Sequence, residues 1–367
     1  MPTPSSTLVV IFLRGAADGL SLVPPIGDDA YHRARPTLRV RPEETLTIPG
    51  DGDGYFALNG ELALLRPHLA EGRLAIVHGA GSQDTTRSHF EAQDYMEHGG
   101  QLGGGWLARY LRASRPSASA LAAVAVGATQ PESLRGSPVG AVMQTIRDFA
   151  VGADNPVLLA QLERLYSDLP GALGLAGRST LEAIERLRAM REHDLRAEGG
   201  ANYPATSFGR GLREIAKLVK ADLGMNVATV DMVGGGLGWD THFVQGQAFP
   251  ALARELAEGV DAFWRDLGSH RAHTTVVVMT EFGRRVRENT SLGTDHGLGG
   301  VMMVLGENLP RSGPIVPGGI HSGWRSLSDE SLIGPGDVPV TTDYRAVLRP
   351  LLAQMSPEVD LDRVFPM

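Results

Sequence analysis

Leu8-Val9-Val10-Ile11-Phe12-Leu13, followed at once by Arg14-Gly15-Ala16-Ala17-Asp18-Gly19, decides how the rest of the chain is read. An unbroken apolar run rich in β-branched residues suits a strand covered on both faces; a strand with one wet face would alternate. Such a strand lies in the middle of a mostly parallel sheet sheathed by helices. Its carboxyl end, here Asp18 in a loop beside Gly19, arrives at the edge where open α/β sheets bind ligands.

Similar runs recur along the chain. Leu74 to Val77 leads into His78-Gly79-Ala80-Gly81, and Ala122 to Val126, Val227 to Val233, Thr274 to Met279 and Val301 to Leu305 read as further strands. Helical spacing falls between them, over Leu62 to Leu69, from Ser88 to about His98, over Ala248 to Leu267 and over Asp343 to Met355. Strand and helix in alternation predict an α/β fold, with a mostly parallel sheet between two helical layers. One domain spans residues 1–367 in this reading. Leu158, Leu159, Leu162 and Leu165, then Leu181, Ile184 and Leu187, mark a helical insertion over about residues 155–220. Pro24 to Pro49 reads as a surface excursion with room for one short strand, and Gly318 to Pro339 as loop.

The composition narrows the function. With 42% hydrophobic and 21% charged residues over 367 positions the chain can bury a large core. A formal net charge of −8, with no extended basic stretch, argues against nucleic acid as a partner. An anionic substrate must then be attracted by local arginines or metal ions. The absence of cysteine excludes disulfides, thiolate metal sites and cysteine nucleophiles. No segment is long enough to span a bilayer, and Leu8 to Leu13 is too short for an export leader, so the expectation is a soluble protein.

Chemistry-bearing residues gather after the strands. In Gly238-Trp239-Asp240-Thr241-His242 the acid and the imidazole stand two apart, so an extended backbone points both to one side. Gly234-Gly235-Gly236 before them supplies a turn that brings them onto one ion. Alternatively Asp240 caps the next helix, which leaves the tryptophan and histidine beside it unexplained. Glu281 follows a strand directly, where burying a carboxylate is costly unless it is paired or metal-bound. It is therefore a ligand or the partner of Arg284, and Arg284 is otherwise free to hold an anion through forked hydrogen bonds. Asp295-His296-Gly297 offers His296 as ligand with Asp295 as ligand or orienting partner, or else an exposed turn. Asp18 is a ligand or an Asp-Gly turn.

Thr85-Thr86-Arg87-Ser88-His89-Phe90 places hydroxyls beside an arginine and a histidine at a helix start, where free N–H groups and a cation stabilise an alkoxide. Ser88 is the first candidate nucleophile and Thr85 the second, with His89 beside them and Arg87 an anion contact. Ser88 and Glu91 also have the spacing of a capping box, a role compatible with the first. His78, His98 and His321 lack a supporting pattern. Nitrogen and oxygen donors without thiols suit a hard or borderline divalent cation.

The motifs Phe12-Leu13-Arg14-Gly15-Ala16-Ala17-Asp18-Gly19, Arg87-Ser88-His89-Phe90, Gly238-Trp239-Asp240-Thr241-His242, Thr280-Glu281-Phe282-Gly283-Arg284 and Thr294-Asp295-His296-Gly297 occur in this order. Together they resemble the DUF1501 family, which is placed by similarity in the alkaline phosphatase-like superfamily with sulfatases and phosphodiesterases. The resemblance implies a three-layer sandwich, Asp18 as a first metal ligand and a nucleophile in the Ser88 segment. It further implies Asp240, His242 and His296 on one metal, with Glu281 where a second metal's Asp-His normally stands. Phe282 replaces that histidine, so in place of two zinc ions one divalent metal, or a carboxylate-rich pair of manganese, calcium or magnesium ions, is expected. Many relatives carry an export leader, so a cytoplasmic and a periplasmic location both stand.

Two functions follow as expectations. One is a metal-dependent hydrolase of phosphate or sulfate esters, acting on an anionic small molecule or a glycan ester. The other is a superfamily member without turnover that binds a metal, a glycan or a protein.

Overall fold

The computed structural model describes residues 6–100, 102–114, 119–150, 155–192, 196–234 and 238–366. Its strands are β1 (Thr7–Leu13), β2 (Thr45–Thr47), β3 (Ala57–Asn59), β4 (Leu74–Gly81), β5 (Ala123–Val126), β6 (Ala141–Met143), β7 (Val227–Met232), β8 (Thr274–Met279), β9 (Arg284–Glu288), β10 (Thr294–His296), β11 (Gly300–Leu305), β12 (Ile320–Ser322) and β13 (Thr342–Asp343). Nine of them form one sheet in the order β12-β4-β11-β8-β1-β7-β5-β6, with β13 also on β4. The strand read first lies in the middle, parallel to β7 on one side and to β8 on the other. β11 alone runs antiparallel to its neighbours, β4 and β8. The mostly parallel sheet expected from the sequence is thus present, with one reversed strand that the apolar pattern of Val301 to Leu305 gave no means of orienting.

Helices α1 (Gly19–Leu22), α2 (Asp29–Ala34), α3 (Arg66–Ala70), α4 (His89–His98), α5 (Trp106–Ser114), α6 (Pro156–Ser167), α7 (Gly171–Glu192), α8 (Ser207–Lys220), α9 (Gln245–Asp266), α10 (Tyr344–Met355) and α11 (Leu361–Val364) complete the described elements. The two faces of β1 show how they are arranged. Val9, Ile11 and Leu13 join a core with Phe208, Leu212 and Ile215 of α8 and Leu256, Val260 and Phe263 of α9. Leu8, Val10 and Phe12 join a second core with Trp106 and Leu107 of α5 and Val347, Leu348 and Leu351 of α10. Alternate side chains of an extended strand point to opposite faces, so one uninterrupted apolar run feeds two cores. Helices therefore cover both sides of the sheet.

Several local readings change. The stretch from Pro24 to Pro49 does carry one short strand, β2, but it is no mere excursion, because Tyr31 and Arg35 are fully buried. The helix expected over Leu62 to Leu69 is a 3-10 segment, Gly60–Leu65, followed by the short α3, whose first turn holds Pro67. Within the helical stretch from about 155 to 220, α8 belongs to the layer on the sheet. α6 and α7 pack on each other outside it; α6 buries no residue, while Ala183 and Leu187 of α7 reach the core. Among the described residues no helix is long and apolar enough to cross a membrane.

Candidate metal centre

The carboxyl ends of β1, β7 and β8 and the start of α4 meet at one point, with the β9–β10 hairpin folded over them. Gly15, just past β1, has φ +114, and a Cβ there would lie 2.7 Å from the amide nitrogen of Asp240. The two strand-end loops therefore touch through backbone, which only glycine permits. Gly293 does the same for the hairpin, since a Cβ on it would sit 2.2 Å from the carbonyl carbon of His242. Trp239 is fully buried and meets Phe249 edge-on, which pins the loop one residue before its acid. Asp240 is not a helix cap; α9 begins later, with Val244 at its N-cap. Of the Gly234-Gly235-Gly236 turn, residues 235–237 lie outside the described residues.

Asp240 Oδ1 is the focus of the site. Around it stand Arg284 Nη2 at 2.6 Å, His242 Nε2 at 3.1 Å, His296 Nε2 at 3.3 Å and His89 Nε2 at 3.4 Å. His89, Asp240 and His296 offer ligand atoms that all lie within 4.8 Å of one another. His242 adjoins them, its Nε2 2.8 Å from that of His296.

The far nitrogen of every ring is tied back to oxygen. His89 Nδ1 lies 2.8 Å from Glu281 Oε1, His296 Nδ1 2.8 Å from the Arg87 carbonyl oxygen, and His242 Nδ1 3.4 Å from Asp295 Oδ1. Carboxylate and carbonyl oxygens only accept, so each Nδ1 is the protonated nitrogen and each Nε2 of a neutral ring carries a lone pair. Three lone pairs then converge on a carboxylate oxygen. Two of them face each other at 2.8 Å, and the buried Nε2 of His89 has no hydrogen-bond partner. A cation among them, or a proton on one of the rings, relieves that arrangement. Neutral imidazoles oriented through Nδ1, with a carboxylate, are what a borderline divalent cation such as zinc or manganese takes. The donor set of His89, Asp240 and His296 therefore fits one ion, with His242 adjoining it.

The electrostatics agree. The neighbouring Asp240 and Glu281 carboxylates push His89 up to about 9, so that position favours positive charge, and an ion bound there competes with that proton. Burial alone would raise the Asp240 carboxyl, yet His296, His89 and Arg284 hold it far below the usual carboxylate range. Glu281 follows the same logic: burial opposes ionisation, and bonds from His89 and Gln93 outweigh it. His242 is pushed down, first by burial and then by the nearby Arg284 and His296 charges, against the pull of Asp240. Asp295 is lowered mainly by its bond from Asn289.

The remaining residues singled out from sequence take other places. Glu281 does not pair with Arg284; its carboxylate accepts from Gly15 N–H, Gln93 Nε2, His89 and Thr280 Oγ1, each at 2.8–2.9 Å. Arg284 is buried and donates to carbonyl oxygens of Gly15, Ala16, Trp239 and Thr294 as well as to Asp240, so it fastens three loops together and faces no ligand. Arg87 forms an ion pair with the buried Asp337 and sits at φ +56, and its carbonyl aims His296. Asp295 orients His242.

Asp18 lies apart from the cluster, fully buried in an ion pair with Arg35 at 2.5 Å, with Ser21 and Gln245 also bonding its carboxylate. Burial would raise its pKa, and the Arg35 charge more than reverses that. It is linked to the site through Gln245, whose Oε1 accepts from Thr241 and Thr294, the neighbours of His242 and Asp295. Ser88 is the N-cap of α4, but its side chain makes no capping bond, and its N–H, which Glu91 would need for a capping box, goes to Thr86 Oγ1. Its hydroxyl is therefore not used by the helix. Thr85 is exposed on the preceding loop.

Sequence reasoning gave His89 a place beside the candidate nucleophile and did not name it as a candidate ligand. The signal was present: Gln93, one helical turn on from His89, shares its face and its partner Glu281. Arg35 and Asp337, each the buried partner of a residue that was singled out, carried no local signal.

The family described as "Protein of unknown function (DUF1501)" matches residues 78–351, most of the chain, and the chain belongs to that family. No curated protein matches it.

Proposed function

We propose that this chain is an alkaline phosphatase-like, metal-dependent hydrolase of phosphate or sulfate esters, working with one divalent ion and a hydroxyl nucleophile at Ser88. The observation that carries this is the convergence of the His89, His242 and His296 Nε2 atoms on Asp240 Oδ1, each ring held through Nδ1, beside a helix start with a free serine hydroxyl. A mostly parallel sheet with the cluster at the carboxyl ends of its central strands supports the superfamily assignment.

When bound, the ion supplies Lewis-acid polarisation of an ester oxygen and lowers the pKa of a coordinated hydroxyl. His89, His242, His296 and Asp240 hold it, and Glu281, Asp295 and the Arg87 carbonyl keep the rings in the ligating tautomer. The uncapped first turn of α4 offers unsatisfied N–H groups to the anion. Those groups take the role first given to Arg87 and Arg284, both of which are spent on internal partners. Arg285, partly exposed, pairs with Asp295 at 3.5 Å. Ser88 Oγ attacks phosphorus or sulfur, its proton passing to water, and the alcohol leaves with a proton. Water then cleaves the serine ester, which releases phosphate or sulfate and restores Ser88. Thr85 is the second choice of nucleophile.

The test loads wild type, Ser88→Ala and Asp240→Ala with zinc or manganese and offers aryl phosphates and sulfates. Turnover in wild type with a loss of at least about 100-fold in each variant supports the reading; undiminished turnover in both ends it. One feature favours a non-catalytic binder: Phe282 packs against His89 and His296, ring centroids 5.1 and 5.0 Å away, where a second ion's histidine is expected. Tight metal binding with no turnover on any ester of the screen is the result that reading requires.

A further inference from the structure

A second crevice opens along the same sheet edge, and the order of the strands explains it. β5 and β7 are parallel neighbours, but the chain leaves them in opposite directions. After β5 it passes outward to β6, and Leu134 on the way joins the core shared with α5 and α10. After β7 it passes inward through α9, which lies in the other core, to β8 beyond β1. The two connections part between the carboxyl ends of β5 and β7. In an open α/β sheet such a point of reversal is where ligands bind.

A cavity of about 440 Å³ lies there, within the range of small-molecule sites. Its walls come from the loop after β5, the residues after β6, the end of β7 and the start of α8. None of its lining residues belongs to the metal cluster. Asp231 stands on the β7 wall. Water reaches 41% of its side chain, yet burial raises its carboxyl pKa against the pull of Arg14, which is the signature of an acid recessed in a cleft.

The lining chemistry selects the occupant. Asp231 and Arg210 bring one charge of each sign, and Asp231 is already paired with Arg14 at 3.1 Å, so the crevice draws neither an anion nor a cation. No aromatic ring lines it, and a flat ring has nothing to stack on. The side chains of Gln144, Thr129 and Ser207 make no hydrogen bond among the described residues. A carboxylate only accepts and a guanidinium only donates, whereas the amide and the hydroxyls do both. A ligand whose polar groups each donate and accept satisfies all of them at once, and that group is the hydroxyl. Ala128, Pro131 and Val233, the last 59% exposed, meet the C–H groups between the hydroxyls.

We propose that this crevice binds a neutral sugar, whose hydroxyls bond Asp231, Gln144 and Arg210, at a site separate from the metal centre. The proposal does not depend on turnover at the metal.

Glucose, galactose, mannose and N-acetylglucosamine are titrated into the protein and followed by calorimetry and saturation-transfer NMR. At least one should bind with a Kd of about 1 mM or below. Gln144→Ala should weaken it about 5-fold and Asp231→Asn about 10-fold, the loss of a neutral and of a charged hydrogen bond. Gln144 is exposed and holds nothing in the fold, so Gln144→Ala should melt as wild type does and carries the test if Asp231→Asn does not fold. Zinc affinity should stay at the wild-type value in Gln144→Ala. No binding of any of the four sugars up to about 10 mM overturns the proposal. Sugar binding at wild-type strength in Gln144→Ala and in every folded variant places the sugar elsewhere and also overturns it. Binding of inorganic sulfate in preference to the sugars, lost in Arg210→Ala, makes the crevice an anion site and overturns it too. Each of these results leaves the hydrolase reading as it stands, because that reading is tested by Ser88→Ala and Asp240→Ala.

Discussion

Glu281 offers the sharpest test of how the centre is built. Its carboxylate takes four donors, from His89, Gly15, Gln93 and Thr280, at 2.8–2.9 Å, and it is almost fully buried. Replacing it by alanine leaves those donors without an acceptor, at about 1–3 kcal/mol for each that water cannot reach. With the His89 side rehydrated through the open face, a net loss of about 3–5 kcal/mol is expected. Glutamine behaves differently. Its Oε1 can still accept from His89, Gly15 and Gln93, while its amide donates to Thr280 Oγ1, whose one proton, shared in the wild type between Glu281 and the Leu13 carbonyl, then turns wholly to Leu13. Glu281→Gln should therefore fold with a loss of about 1 kcal/mol. Loss of an orienting partner lowers metal affinity about 10- to 100-fold, so alanine should weaken zinc by about two orders of magnitude and glutamine by one at most. Zinc at 100 times its Kd stabilises a protein by about 2.7 kcal/mol, and a 100-fold weaker site keeps only about 0.4 kcal/mol of that. Urea unfolding with and without zinc reads this difference, and calorimetric titration reads affinity directly. Wild-type zinc affinity in Glu281→Ala refutes the orienting role; glutamine as damaging as alanine shows that charge, not aim, is what Glu281 contributes.

Three further outcomes follow. Asp18→Asn breaks a fully buried ion pair with Arg35 and should cost about 3–5 kcal/mol, yet leave zinc affinity within a factor of about 3 of wild type; a 100-fold loss would make Asp18 a ligand after all. Arg284→Lys replaces a planar fork that reaches five acceptors by a point charge. It should lower both stability, by about 2–4 kcal/mol, and zinc affinity; circular dichroism melts and titration check it, and an unchanged melt refutes the fastening role. His78 is buried on β4 against Phe56 and Trp324, and burial pushes it down to about 3. A histidine neutral in the fold and charged when unfolded below about 6.5 makes stability fall as pH drops from 6.5 towards 3. At pH 5 the loss is about 2 kcal/mol relative to pH 7.5. His78→Gln should lack that share of the slope in urea titrations at the two pH values, and an identical slope contradicts the assignment.

How far the sequence reaches is visible in particular residues. Leu8 to Leu13 identifies the central strand because an apolar run can be buried on both faces only there, and the loop after each such run is bound to reach the same sheet edge. That reasoning brings Asp240, His242, Glu281 and His296 together without coordinates, since hydrophobic periodicity is a local property. It also identifies α4 and α9, with ends that shift by at most three residues.

What the sequence leaves open is pairing across space. Arg284 next to Glu281 in the chain suggests an ion pair, but the donors that reach Glu281 come from β1 and α4, and Arg284 finds Asp240 instead. Asp18 looks like a strand-end ligand until Arg35, from a stretch read as surface, neutralises it in the core. Whether an acid binds a metal, aims a histidine or holds an arginine depends on which donors lie within 3 Å, and tertiary contacts alone set those distances. Local pattern thus determined the fold class, the sheet edge and the residues that gather there. Packing decided which of them converge on one point, which hold one another, and which lie apart in the core.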